Sequence, residues 1–207
     1  MPENKTLITK LERGRAEFAY ECVDGLIKLK LKDEKFVFAN KSLESFKGNV
    51  IEYMRNKIKE GKITKEKIEE ILNNPKLYAS KEKEISLTHE EKEIVKRYKN
   101  LLKDYRSYAR KIPQMILSNG LGQTLAFVYA KKEEGNAYDL IYKQLTDYLK
   151  SDSTARIRMP ENQNELIEWV ISLDSYNYRY VIEEILVFLN WVRRFAEGMI
   201  EGEGGEE

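Results

Sequence analysis

The sequence predicts an all-α fold: a compact helical bundle with a helical insertion after its first helix and a disordered acidic C-terminal tail. Two observations carry this. Apolar residues recur at steps of three and four along much of the chain, the period of a helix with one buried face. No run alternates convincingly with the period of two expected of a half-buried strand. The 207 residues are 42% apolar and 34% charged, with 11 Gly and 4 Pro, which suits one core of ordinary domain size and excludes collagen-like or wholly disordered classes. Residues 1–201 are expected to form a single helical domain, with about 33–90 inserted in it and 202–207 as the tail.

The first helix is predicted from about Thr6 to Lys30, with Leu7, Leu11, Phe18, Cys22, Leu26 and Leu29 at its apolar positions. Residues 31–41 (LKDEKFVFANK) are ambiguous, and FVF suits a short extended piece. Helices around 43–60 and 64–73 follow. Asn73-Asn74-Pro75 stops the second, and 74–87 reads as a loop. Thr88 with Glu91 three residues on is a capping box, each side chain bonding a backbone N–H at the other's position. The helix it opens is predicted to end near Lys111, ahead of Pro113.

Residues 113–132, PQMILSNGLGQTLAFVYAKK, then form a corner. Pro113 suits the start of a new helical turn, where its missing N–H would have been unpaired. Met115, Ile116 and Leu117 are expected in the core, and Asn119 with Gly120 makes a left-handed stop. Gly122 permits close approach of the next helix (about 121–132), whose Leu125, Phe127 and Val128 return to the core. A helix at about 136–150 carries Tyr138, Ile141, Leu145 and Tyr148 on one face. After a polar loop (151–160) comes a short helix (163–173) with Leu166, Trp169, Val170 and Leu173. The last helix, about Ser175 to Ile200, has the strongest period: Val181, Ile185, Phe188, Val192, Phe195 and Met199. The closing EGEGGEE is expected to be disordered.

The chain offers little for catalysis. Its sole histidine, His89, falls at a helix start beside Glu90 and Glu91, a surface capping position. Its one cysteine, Cys22, lies on an apolar face and reads as a buried, inert thiol that suits a reducing compartment. One Cys and one His cannot supply a zinc site or a nucleophile triad of the usual kind. Glu90-Glu91 and Glu183-Glu184 read as solvated faces, and no Glu-x-x-His motif accompanies them. Gly120-Leu121-Gly122 lacks the third glycine and the preceding strand of a dinucleotide fingerprint. No catalytic residue, cofactor, metal or small-molecule substrate is therefore expected. No apolar run reaches the roughly 18–20 residues that span a bilayer, and MPENKTLITKLERGR lacks the apolar core of a secretory signal. A cytoplasmic protein without a membrane partner is expected.

Charge is distributed unevenly. Net charge is +1, but residues 135–207 hold 7 Lys/Arg against 14 Asp/Glu, leaving 29 against 21 for residues 1–134. Between Lys92 and Lys111 stand eight Lys/Arg and two acids, Glu93 and Asp104. Lys92, Lys96, Lys99, Lys103, Arg106 and Arg110 advance by four and three. Ile94, Tyr98, Leu101, Tyr105, Tyr108 and Ile112 follow two residues out of phase. Two residues turn a helix by about 200°, so the stripes fall on opposite faces, the cationic one about 27 Å long. Such a ridge can track phosphates without reading sequence, or can be an ordinary solvated face. Arg193-Arg194 after Asn190-Trp191 is a second cationic point.

Three segments carry a resemblance to a known family: LERGRAEFAYECV (11–23), YARKIPQMILSNGLGQTLAFVYAKK (108–132) and LNWVRRFAEGMI (189–200). Together they resemble the small subunit of the type III-B CRISPR RNA-silencing effector, the Cmr complex. The resemblance covers roughly 6–30 and 100–201, while about 33–90 departs from it. It implies a non-catalytic helical protein of antiviral defence. Copies would stack in a minor filament beside the backbone subunits and help hold the crRNA–target RNA duplex, with cleavage left to the backbone and signalling to the large subunit. The positions able to meet phosphate in these segments are Arg15, Arg110, Lys111, Lys131, Lys132, Arg193 and Arg194, joined by Lys103 and Arg106 of the ridge. Opposite charges at the two ends of the chain would suit head-to-tail stacking. A protein–protein scaffold that touches no nucleic acid is the alternative.

Overall fold

The structure, a computed structural model, describes residues 7–27, 30–32, 35–37, 49–73, 87–151, 156–200 and 202. The predicted tail, Gly202 excepted, and residues 74–86 of the predicted 74–87 loop lie outside these residues. Helix α1 (Leu7–Ile27) is followed by a small antiparallel hairpin, β1 (Lys30–Lys32) and β2 (Lys35–Val37), with Leu31 opposite Phe36. Six further helices build most of the rest: α2 (Asn49–Lys59), α3 (Lys65–Asn73), α4 (His89–Asn119), α5 (Leu121–Lys131), α6 (Ala137–Lys150) and α8 (Ser175–Met199), with the short α7 (Leu166–Ser172) before the last. The all-α expectation holds, and the extended piece expected at FVF is found one residue earlier, at Lys35–Val37.

The first helix stops three residues short of the predicted Lys30. Its end is held by α4: the Tyr98 hydroxyl donates to the carbonyls of Leu26 (2.8 Å) and Ile27 (3.0 Å), two of the acceptors a helix end leaves unpaired. Val50 and Met54 of α2 and Ile68, Ile71 and Leu72 of α3 join the same buried cluster as α1, α4, α6 and α8. The insertion therefore packs on the flank of α4.

At the centre stands a charged pair that the sequence reading placed elsewhere. Glu184, expected on a solvated face, is 3% exposed, and Arg15 is 7% exposed. Arg15 Nε and Nη2 donate to the two carboxylate oxygens of Glu184 at 2.9 and 2.6 Å, a bidentate pairing across α1 and α8. Tyr148 of α6 donates its hydroxyl to the same carboxylate. Arg15 Nη1 also donates to Glu12 at 2.5 Å, and Trp191 Nε1 reaches Glu12 at 3.3 Å. Burial alone would lower the pKa of Arg15, but the bonds to Glu184 and Tyr148 and the carboxylate charge raise it instead. Tyr148 joins the pair to an aromatic cluster, stacked on Phe188 at 4.1 Å with Phe18 edge-on to both.

Helix α4 is one 31-residue helix, longer than predicted. The capping box is present: Thr88 Oγ1 accepts from the Glu91 N–H (3.2 Å) and Glu91 accepts from the Thr88 N–H (2.8 Å). Pro113 does not start a new helix but lies inside this one. It forfeits the single bond to the Ala109 carbonyl, while the buried Ala109, Ile112 and Ile116 hold both sides of it in the core. The stop comes at Gly120, with φ +83° and ψ 159°, a region open essentially to glycine alone, so Gly120 and not Asn119 makes the turn. Leu117 and Phe127, expected in the core, are 74% and 39% exposed. Gly122 admits Tyr178 of α8, whose hydroxyl accepts its N–H at 3.0 Å.

Two outcomes are expected in urea denaturation. Arg15→Met strands the Glu184 carboxylate and should cost about 3–5 kcal/mol, with Arg15→Met/Glu184→Gln recovering at least half; an equally unstable double variant contradicts the pairing. Gly120→Ala has open space around the new methyl and should still cost about 1–3 kcal/mol from backbone strain, whereas helical Gly122→Ala is neutral or stabilising.

Candidate nucleic-acid interface

The two faces predicted for α4 are separated in the fold. Ile94, Tyr98, Tyr105 and Ile112 are at most 1% exposed and Leu101 is 9% exposed. Tyr108 is half-buried and stacks on Tyr138 of α6 at 3.9 Å between ring centroids. Tyr105 donates to Gln144 Oε1 at 2.7 Å, and Gln144 Nε2 reaches the Cys22 carbonyl at 3.4 Å, so α1, α4 and α6 are pinned at one level. Burial pushes both Tyr98 and Tyr105 well up, keeping these anchors neutral. On the other side Lys92, Lys96, Lys99, Lys103 and Arg110 are exposed and Arg106 is half-buried, while Lys111, also exposed, projects about 100° round the helix from Arg110.

One cation of this helix faces the insertion instead. Arg97 pairs with Glu93 at 2.8 Å and lies over the Tyr53 ring of α2 at 4.5 Å. The cationic stripe is thus bordered on one flank by α2.

The remaining expected positions divide by what surrounds them. Lys131, at the end of α5, is exposed. Lys132 is half-buried: its Nζ stands 3.5 Å from Glu165 and 4.0 and 4.5 Å from the ring centroids of Tyr129 and Tyr142. Tyr142 in turn accepts the Ile167 N–H at 3.0 Å, so this cluster fixes the start of α7. Arg194 is exposed over Trp191, at 5.4 Å, while Arg193 is half-buried with an Nε that has no hydrogen-bond partner. Arg15 is inside the protein, its guanidinium committed to Glu184 and Glu12. Arg156, which the sequence reading passed over, is exposed beside Tyr180 at 5.8 Å; it sits in a polar loop with no periodicity to single it out.

Chemically, this surface can attract an extended anion. Among the described residues no group of three or more His, Cys, Asp or Glu is placed to hold a metal ion. Among them, too, no helix is long and apolar enough to cross a membrane. Cys22 is buried, with its thiol pushed well up by that burial.

The fold and its surface define an all-helical protein with one cationic face on its longest described helix. A family model described as "CRISPR-associated protein (Cas_Cmr5)" matches residues 86–199, more than half of the chain, and the chain belongs to that family. It is also 30% identical over 98 residues to the "CRISPR system Cmr subunit Cmr5" of Thermus thermophilus, a match spanning 47% of this chain and 76% of that protein. The family match contains α4 to α8 whole. Helix α1, with the LERGRAEFAYECV segment, and helices α2 and α3 precede it.

The surroundings of the two lysines after α5 predict different costs. Lys132→Ala should lower stability by about 0.5–1.5 kcal/mol through its lost ring and carboxylate contacts, and Lys131→Ala should stay within about 0.5 kcal/mol. Thermal unfolding of the two variants checks the contrast.

Proposed function

We propose that the chain is a non-catalytic small subunit of a type III-B CRISPR ribonucleoprotein, acting in antiviral defence in the cytoplasm. In this reading copies stack in a minor filament against the backbone and large subunits, and α4 lines the path of the crRNA–target RNA duplex. The observation that carries it is the cationic face of α4. Five exposed cations and the half-buried Arg106 stand opposite a buried apolar stripe, all within the segment that matches the family. The relative from Thermus thermophilus, named as a Cmr subunit, supports the assembly.

The interface so defined comprises Lys103, Arg106, Arg110, Lys111 and Lys131, together with Arg193 and Arg194. Arg15 is left out because its guanidinium is enclosed, and Lys132 is assigned to holding α7. These contacts position phosphates and carry no base information, since guide pairing reads the target.

A protein–protein scaffold without RNA contact is the second reading. It is favoured by Leu117, Ile171 and Tyr176, which are 74%, 71% and 67% exposed. In the subunit reading the same residues serve contacts to neighbouring subunits.

Arg110→Glu/Lys111→Glu discriminates between the two readings. Both residues are exposed, so helical content and unfolding midpoint should be unchanged. Target-RNA capture by the assembled complex should weaken, and the slope of log affinity against log salt should fall by about two phosphate contacts, roughly 0.7–0.9 each. Unchanged capture removes this pair from the interface. Failure of the chain to copurify with a CRISPR ribonucleoprotein defeats the assignment.

A further inference from the structure

Phe127 is a large ring that the core does not enclose. It is 39% exposed on α5 and stands edge-on to Tyr138 of α6, with 5.8 Å between ring centroids. Tyr138 in turn lies flat on Tyr108 of α4, at 3.9 Å and with 14° between the ring planes. Three helices thus bring three rings into one cluster that reaches the surface at Phe127. Burial first, then the Tyr108 hydroxyl and the Asp104 carboxylate, push the Tyr138 hydroxyl up to about 12, so that ring stays neutral. Positive charge comes from the same two helices that carry Tyr108 and Phe127. Lys111 follows Tyr108 by three residues on α4, and Lys131 follows Phe127 by four on α5, spacings that make helix side chains neighbours. Both lysines are exposed. All five residues fall within 86–199, the part of the chain that matches the family.

We propose that Phe127, backed by the Tyr108–Tyr138 stack, is a platform on which one unpaired RNA nucleotide stacks, its flanking phosphates meeting Lys111 and Lys131. This rests on the RNA reading of the cationic surface and adds a base contact to it. In a duplex the faces of each base are covered by its neighbours, so a protein ring takes only a base that has left the helix. Every base has a π-face, so the platform tolerates any of the four. The two lysines select this occupant over an uncharged apolar segment of a protein, because they set cations beside the rings on both helices. The charged row of α4 holds phosphates of paired and unpaired RNA alike, whereas the platform holds only the unpaired strand.

Fluorescence anisotropy with the full chain tests this, comparing a short oligouridylate with an abasic ribose-phosphate strand of equal length at about 50 mM salt. Phe127→Leu removes the ring but keeps an apolar side chain, so the unfolding midpoint should hold. Its affinity for oligouridylate should fall roughly fivefold to a hundredfold, with affinity for the abasic strand unchanged. The slope of log affinity against log salt should match the parent, because no phosphate contact is lost. Phe127→Trp keeps a stacking face and should bind as the parent does. A strand bearing 5-iodouridine should photocrosslink the parent chain at Tyr108, Phe127 or Tyr138, a readout that needs no variant to fold. Equal loss on both strands, or on neither, overturns the platform, as do crosslinks confined to other residues. Loss of assembly into the ribonucleoprotein with oligouridylate affinity intact gives Phe127 to a protein neighbour and also overturns it. If the parent binds the abasic strand as tightly as oligouridylate, the platform alone falls and the phosphate-binding face of α4 stands. If it binds neither strand, the platform falls together with the α4 interface on which it rests.

Discussion

The arrangement of the bundle depends on one buried ion pair. Arg15 and Glu184 stand 169 positions apart in sequence and meet bidentately between α1 and α8, with Tyr148 of α6 on the same carboxylate. A buried charge is tolerated only with its partner in place, so any packing that separates the two helices strands both groups in the core. Tyr148 links the pair to an aromatic cluster with Phe18 and Phe188, and Trp191 ties in the Glu12 that serves Arg15 from the other side. The network fixes the register of three helices, a specificity that an apolar seam leaves looser.

That frame explains how α4 can be long, straight-through and charged. Its buried stripe is held by hydroxyls at two levels, Tyr98 on the end of α1 and Tyr105 on Gln144, so the register of the stripe is set by directional bonds as well as by packing. With one face so committed, the opposite face is left to solvent and carries the cations. A phosphate-tracking surface needs charges at fixed spacing on a rigid support, and helix α4 supplies both. Of the positions expected to meet phosphate, the two that the fold consumes are Arg15, bonded to Glu184 and Glu12, and Lys132, set against Glu165, Tyr129 and Tyr142.

Much of this was legible in sequence, and the misses have physical causes. The stripes of α4 could be read because the period of three and four is a local property. The capping box and the glycine stop were legible for the same reason. Pro113 misled because the local rule against proline inside a helix was outweighed by burial on both sides of it. The ion pair was missed although a signal existed: Arg15 falls in the stripe Leu11, Phe18, Cys22, and Glu184 falls between Val181 and Phe188. A lone charge inside an apolar stripe predicts a buried partner, but not which one. Lys132 gave no such signal, because Tyr142 and Glu165 come to it from other elements. At the corner, Leu117 and Phe127 were assigned to the core from hydrophobicity alone, and only packing shows which side of a helix faces it.

The central claim is that the cationic face of α4 meets RNA while Arg15 serves the core. Photocrosslinking of the assembled ribonucleoprotein, read by mass spectrometry, tests it most directly. The account predicts RNA adducts on the α4 face between Lys99 and Lys111 and none on Arg15. Adducts absent from α4 in a complex that contains the chain would contradict it.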